Sequence, residues 1–215
     1  QLNALRDAVH AENGDMMFFI AGPEKIAATA MGQLRLEIAR IKGLLDPNRR
    51  EFVWITEFPM FEYSETEGRY MAMHHPFTSP MPEHLDMMLS GNLKDCKAQA
   101  YDLVLNGVEI GGGSIRIHNP EVQEKVFRLL GLTEEQVQEK FGFFVDAFKF
   151  GAPPHGGLAF GLDRIVATME GQESIRDFIA FPKNTSASSP MDQSPSEVDL
   201  QQLQDIHISV NLGKK

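Results

Sequence analysis

Asp102 and Glu109 lie on either side of Asn106-Gly107 within AYDLVLNGVEIGGGSIRIH, residues 100–118, and Arg116 follows in the same stretch. Asn-Gly between two apolar, β-branched runs is the strongest short-range hairpin signal, because a type I′ turn needs φ > 0 at both central residues. With those two residues as the loop, Leu105 faces Val108 and Val104 faces Glu109. Side chains alternate along a strand, so Asp102, Val104 and Glu109 share one face, with the carboxylates as diagonal neighbours. Like charges so placed repel unless a cation sits between them. The pair is therefore either a cation site or two solvated acids on the wet face that antiparallel sheets commonly carry.

Gly111-Gly112-Gly113 is costly inside a strand and points to a bulge, or to a backbone that a ligand approaches closely. Arg116 has the parity opposite to Glu109, and a one-residue bulge in the glycines swings it onto the carboxylate face. An acid pair, bare backbone and one arginine together suit an anionic, metal-bound ligand. A second cation, Arg164 in GLAFGLDRIV, falls in the first turn of a predicted helix, where the macrodipole favours Asp163 and disfavours an arginine. Such a local conflict is a functional flag. Beside the backbone N–H groups of a helix start, Arg164 suits a phosphate; the other reading is an arginine paired with a nearby acid. The stretch is neither a P-loop nor a dinucleotide fingerprint, because Lys-Ser/Thr is missing and the glycine spacing differs.

The elements that must hold these side chains follow from periodicity and breakers. Residues 1–12 predict a helix ended at Asn13-Gly14, residues 15–21 (DMMFFIA) a buried strand, and residues 25–45 an amphipathic helix with Ile26, Ala30, Leu34, Ile38 and Ile41 on its apolar face. Asp46-Pro47-Asn48 closes that unit, so residues 1–46 form the tail of one small α/β module and residues 47–215 another domain. FVWITEF is a strand, residues 64–68 a polar loop, and RYMAMHH a strand that stops before Pro76. Alternation there puts Met71, Met73 and His75 on one face and Tyr70, Ala72 and His74 on the other. With the methionines toward the core, His74 faces a cleft and His75 is a hydrogen-bonded structural residue. Residues 78–91, interrupted by prolines, predict a mobile loop with a short helical turn.

Beyond the hairpin, Asn119-Pro120 supplies an N-cap and a first helical residue, and Gly131 closes that helix. Thr133 and Gln136 form a capping-box pattern for the next helix, whose Phe141, Phe143, Phe144, Phe148 and following Phe150 read as core packing. Residues 151–157 predict a tight turn, 158–160 a short strand, and 161–170 a helix ended by Gly171. Ser174 caps a short helix over 175–179. An exposed Ser/Pro-rich loop, 183–196, leads to a helix near 198–205 and an edge strand over 206–210.

With 215 residues, 42% of them hydrophobic and 23% charged, the chain has the profile of an ordinary globular protein of one or two domains. A net charge of −10 without a basic run argues against broad electrostatic binding of nucleic acid by this stretch. The single cysteine, Cys96, excludes an internal disulfide and any cysteine-based zinc site. No signal peptide and no apolar run near ~18 residues is present, so a cytoplasmic protein without membrane contact is expected. The chain opens on Gln1, inside a predicted helix, and reads as a piece of something longer.

WITEFPMFE, AMHHPFTSP, AYDLVLNGVEIGGGSIRIHN, KFGFFVDAFKFGAPPHGGLAFGLDRIV and IRDFIAFPK together resemble the C-terminal part of a bacterial-type aspartyl-tRNA synthetase. That is a class II aminoacyl-tRNA synthetase, and GLAFGLDR matches its motif 3. Residues 1–46, with GDMMFFIAG and IAATAMGQLRLEIARI, resemble the end of the insertion domain that bacterial members carry between motifs 2 and 3. The resemblance implies an α+β fold: an antiparallel catalytic sheet flanked by helices, preceded by the end of a small α/β insertion domain. It also implies formation of aspartyl-adenylate from L-aspartate and ATP, then transfer to tRNA. By position, Asp102 and Glu109 match carboxylates that hold Mg²⁺ on ATP, and Arg116 matches the arginine that pairs with the aspartate side chain. His74 matches a histidine on a mobile loop over the amino acid. Gly161, Leu162, Asp163 and Arg164 match the ATP-binding part of motif 3, with Arg164 on the γ-phosphate.

The resemblance covers neither motif 1, motif 2 nor an anticodon-binding barrel, which implies that these residues alone are inactive and that tRNA is held mainly elsewhere. A homodimer is expected for the full-length parent. Two rivals are an asparagine or lysine enzyme of the same class, or an asparagine synthetase of that fold, and a non-catalytic scaffold. The insertion-domain remnant argues against the first, and the presence together of Asp102, Glu109, Arg116 and Arg164 argues against the second.

Overall fold

The computed structural model describes residues 2–211, in two compact units that divide between Arg49 and Arg50. The first holds α1 (Leu2–Ala8) and α2 (Glu24–Ile41). Residues 15–21, expected as a buried strand, are irregular and exposed. A strand needs a neighbouring edge for its N–H and C=O groups, and among the described residues none pairs with this segment.

The second unit runs β1 (Phe52–Thr56), β2 (Phe61–Ser64), β3 (Arg69–Ala72), α3 (Leu85–Leu89), β4 (Ala100–Leu105) and β5 (Val108–Ile115). It continues through α4 (Pro120–Leu129), α5 (Glu134–Phe148), β6 (Gly156–Phe160), α6 (Leu162–Met169) and α7 (Leu200–Asp205). Four strands form an antiparallel sheet in the order β1-β4-β5-β6, and β2 pairs with β3 in a separate hairpin. The class is α+β around an antiparallel sheet, as the resemblance implies, and β4 and β5 are the hairpin that Asn106-Gly107 predicts.

Local chemistry accounts for the elements nearest the site. Asn106 and Gly107 have φ of 49° and 83°, the left-handed pair that a type I′ turn demands. The Asn119 side chain accepts from the Glu121 and Val122 amides at the start of α4, and Thr133 with Gln136 completes a capping box on α5. Such a cap stabilises a helix by about 1 kcal/mol. The core joins Met60 and Phe61 to Met88 of α3, Ala100 of β4, Ile117 after β5, and Val126 of α4. Beside it Phe77 meets Phe127, Phe141 and Phe144.

Several elements differ from expectation. The strand predicted over 69–75 stops at Ala72, and its faces are reversed: Met71 and Met73 are exposed, whereas Tyr70 and Ala72 pack on the core. Pairing with β2 ends at Phe61–Ala72, so alternation carries no information about His74 and His75. Residues 78–91 are not a loose loop, because Thr78 bridges to Arg116, Pro80 bridges to Ala98 and Met88 is fully buried. Phe143 and Phe150 point to solvent rather than into the core. Residues 175–179 form a turn, with the Ser174 hydroxyl accepting from the Arg176 amide, and residues 206–210 are irregular rather than a strand.

Candidate functional site

The hairpin register begins as the turn dictates, Leu105 opposite Val108 and Val104 opposite Glu109, and then shifts so that Leu103 pairs with Gly111. The extra residue is the buried Ile110. The bulge thus falls one residue before the glycine run, not within it, and the glycines themselves keep a regular ladder with β6. Its consequence for parity is unchanged, because it still lies between Glu109 and Arg116. Two bonds hold it: the Gly161 amide donates to the Ile110 carbonyl at 3.0 Å, and Arg164 Nη1 donates to the Glu109 carbonyl at 2.7 Å. The start of α6 therefore fixes the irregularity that re-aims β5.

One face of the sheet now reads in rows. Val53, Val104 and Glu109 form one; Ile55, Asp102, Gly112 and Ala159 the next; Ala100, Ser114 and Gly157 a third. Gly112 and Ala159 leave a low floor between Asp102, Glu109 and Arg116. A Cβ on Gly112 would lie 2.4 Å from Asp102 Oδ1, so the carboxylate occupies the space that any larger residue would fill. On Gly113 a Cβ would fall 1.8 Å from the Gly157 carbonyl oxygen, which means that β5 and β6 approach too closely for a side chain.

Two hollows meet at the edge of this floor. The first, about 360 Å³, is lined by His74, His75, Asp102, Glu109, Ser114 and Arg116, with Gly112, Gly113 and Ala159 beneath. The second, about 370 Å³, is lined by Gly161, Asp163, Arg164, Phe160 and Ile175 and meets the first at Glu109 and Ala159. Of the residues singled out in the sequence, Asp102, Glu109, Arg116 and His74 come together in the first. Gly161, Asp163, Arg164 and again Glu109 come together in the second. Leu162 is exposed and lines neither.

Arg116 is half-buried. Its Nη1 donates to Ser114 Oγ at 2.8 Å and lies 3.3 Å from His75 Nδ1, while its amide donates to the His155 carbonyl. Arg164 lies on the positive end of α6 and reaches the Glu109 carboxylate only at 3.8 Å, with half of each side chain exposed. Both sequence readings of Arg164 meet here: it has an acidic neighbour, and it borders an open hollow beside a helix start. His75, set aside in the sequence as structural, does accept from the Phe77 amide and meets Thr78, yet it also lines the first hollow. Burial above all, then the charge of Arg116, then His74, pushes its pKa below the ordinary 6.5. Ser114 was missed in the sequence. Its position two residues before Arg116, on the same strand face, is the signal that finds it.

Among the described residues no group of three or more His, Cys, Asp or Glu side chains forms a metal cage. The pair Asp102 and Glu109 still suits Mg²⁺, which commonly takes one or two carboxylates and completes its octahedron with water and substrate phosphate. No helix among the described residues is long and apolar enough to cross a membrane.

A profile described as tRNA synthetases class II (D, K and N) matches residues 16–185. The chain belongs to this family of class II synthetases. It is 52% identical over 210 residues to the aspartate–tRNA ligase of Ruminiclostridium cellulolyticum, covering 98% of this chain and 35% of that protein. It is 51% identical over 215 residues to the aspartate–tRNA(Asp/Asn) ligase of Heliobacterium modesticaldum, covering 100% of this chain and 35% of that protein. The chain therefore spans about a third of the length of these curated relatives. In fold it is similar to the aspartyl-tRNA synthetase of Entamoeba histolytica, with a TM-score of 0.51 at 23% identity, over 88% of this chain and 31% of that one.

Proposed function

We propose that this chain supplies the aspartate- and ATP-facing part of an aspartate–tRNA ligase, which joins L-aspartate to ATP as aspartyl-adenylate and passes the aspartyl group to tRNA. The observation that carries this is the bulge at Ile110, which brings Arg116 onto the face of Asp102 and Glu109 beside a second, Arg164-lined hollow. Residues 47–215 act in this reading as the C-terminal part of the catalytic domain, and residues 1–46 as the end of the insertion domain. The full-length protein is a cytoplasmic homodimer that holds tRNA largely through other segments.

The two hollows take different ends of the reaction. Arg116 presents a planar fork to the aspartate side-chain carboxylate, and His74 closes over the amino acid. The fork binds a carboxylate bidentately and a neutral amide less well, so asparagine leaves its charge uncompensated. Gly161, Asp163 and Arg164 form the ATP side, with Arg164 on the γ-phosphate. Asp102 and Glu109 would hold Mg²⁺, which when bound neutralises charge on the ATP phosphates. In the first step an oxygen of the aspartate α-carboxylate attacks the α-phosphorus and pyrophosphate leaves. The attacking group is already ionised, so no side chain here need act as a base; charge neutralisation is the main demand. In the second step a ribose hydroxyl of tRNA attacks the adenylate carbonyl and AMP leaves.

The test is ATP–pyrophosphate exchange in the protein carrying this chain at the length of its relatives. Exchange is expected with L-aspartate and to be at least on the order of a hundredfold weaker with L-asparagine or L-lysine. Preference for either of those would turn the reading to a sister enzyme. Absence of exchange with all three, together with Mg²⁺·ATP binding unaffected by Glu109→Ala, would turn it to a non-catalytic scaffold. These 215 residues alone, with motif 3 but neither motif 1 nor motif 2, are proposed to give little or no exchange.

A further inference from the structure

We propose that Gln123 is a positioning residue: through the Pro76 carbonyl it holds His75 against Arg116, and so fixes the guanidinium that reads the substrate carboxylate. This rests on the aspartate reading above and adds a residue that does not touch the substrate.

Gln123 lies in the first turns of α4 and is only 1% exposed. Its Nε2 donates to the Pro76 carbonyl at 2.8 Å, while among the described residues its Oε1 has no partner. Burying an amide with half its hydrogen-bonding capacity unmet is unfavourable, and an apolar side chain of the same size would fold at lower cost. Packing therefore does not account for an amide here, whereas the bond to Pro76 does. Proline has no N–H, so its carbonyl is the one backbone group by which this residue can be gripped.

What Pro76 leads into is the histidine pair. Residues 73–76 lie beyond the end of the β2–β3 ladder, and their fixed points come from elsewhere. The Met73 amide donates to the Met60 carbonyl, and Gln123 takes Pro76. Immediately after, Phe77 is held by its ring contacts with Phe127, Phe141 and Phe144 and by the Ile117 amide on its carbonyl. Arg69 at the start of β3 donates to the Leu130 carbonyl at the far end of α4. The helix thus braces both ends of the segment that carries His74 and His75. His75 Nδ1, in turn, lies 3.3 Å from Arg116 Nη1 and accepts from the Phe77 amide. Thr78 meets the histidine ring and Ser114 the guanidinium directly, and Gln123 is the side-chain clamp on the backbone of the residue after His75.

Gln123→Met tests this in the protein at the length of its relatives. Methionine is close in length, and Gln123 borders a hollow of about 350 Å³ between α4 and α5 that gives it room. The KM for aspartate is expected to rise roughly tenfold while the KM for ATP stays within about twofold, since misplacing a recognition group by a fraction of an ångström suffices. In a His75→Ala background the same substitution is expected to add nothing further. Amide hydrogen exchange over residues 74–78 is expected to speed up with exchange in α4 unchanged, a readout that needs no aspartate chemistry. If the methionine variant does not fold, Gln123→Leu, apolar and branched, is read by the same KM split. Equal rises in both KM values, or an unaltered aspartate KM with unaltered exchange over 74–78, would overturn the proposal while leaving the ligase reading standing. Loss of aspartate activation in the parent protein itself would remove both.

Discussion

Arg116 and Arg164 border two hollows that meet at Glu109 and Ala159, and they are held by different means. Arg116 is half-buried, bonded to the buried Ser114 hydroxyl and set against His75, with its own amide donating to the His155 carbonyl. Arg164 is exposed and has one strong bond, to the carbonyl of the bulge residue Glu109. Shape is fixed at the first, and at the second mainly charge is supplied. A pre-oriented fork can discriminate a carboxylate from an amide, because its two donors are spent on geometry that only one ligand matches. A tethered, solvated cation lowers the energy of a polyphosphate without choosing finely among its orientations.

The substitution Arg116→Lys should separate the two most. A lysine keeps the charge and loses the fork, and kcat/KM for aspartate should fall on the order of a hundredfold, about 3 kcal/mol. Steady-state pyrophosphate exchange measures it, and a loss under about fivefold would make Arg116 a point charge like its counterpart. Gly112→Ala comes next and acts on the floor beside Asp102. Its Cβ would stand 2.4 Å from Asp102 Oδ1, so the carboxylate must move. The Mg²⁺ concentration for half-maximal exchange should rise roughly tenfold, with the aspartate KM little changed. Equal effects on both would mean that the hollows are one site rather than two. Arg164→Lys should cost less than about fivefold, near 1 kcal/mol, as expected for a half-exposed charge in water, and should appear in the ATP KM.

How much of this contrast was legible in the sequence depends on the range of the forces involved. The turn at Asn106-Gly107 and the caps at Asn119 and Thr133 are set within a few residues, so residue types alone located them. The need for an irregularity between Glu109 and Arg116 was legible as parity, but its position was not. The glycines drew attention to themselves, whereas the residue displaced is Ile110, because its carbonyl and that of Glu109 are taken by Gly161 and Arg164 from α6. Those partners lie about fifty residues along the chain, beyond the reach of any local pattern. His74 and His75 show the opposite error: alternation was extended past Ala72, where the ladder that enforces it has ended. The glycines then proved to serve close approach, Gly113 to the Gly157 carbonyl and Gly112 to the Asp102 carboxylate. The strand expected at residues 15–21 failed for want of a partner edge rather than for want of apolar residues.

The smallest effect is also the one that reads the Arg116 environment without any substrate. Burial, the Arg116 charge and His74, in that order, disfavour the His75 imidazolium, so His75 in the folded chain takes its proton at lower pH than in the unfolded chain. Below about 6.5 the unfolded chain then binds more protons than the folded one, and this contribution to stability, present at neutral pH, is lost as the pH falls. Thermal midpoints followed from pH 7.5 to pH 5 should show that decline, and His75→Gln should flatten it. Arg116→Met removes one of the three causes and should also flatten it in part. Arg164→Met removes none of them, since that guanidinium meets Glu109 and not the histidine. A pH profile moved equally by both arginine substitutions would mean that His75 senses the net charge of the cleft rather than contact with one guanidinium, and the two arginines would then no longer be held by different means.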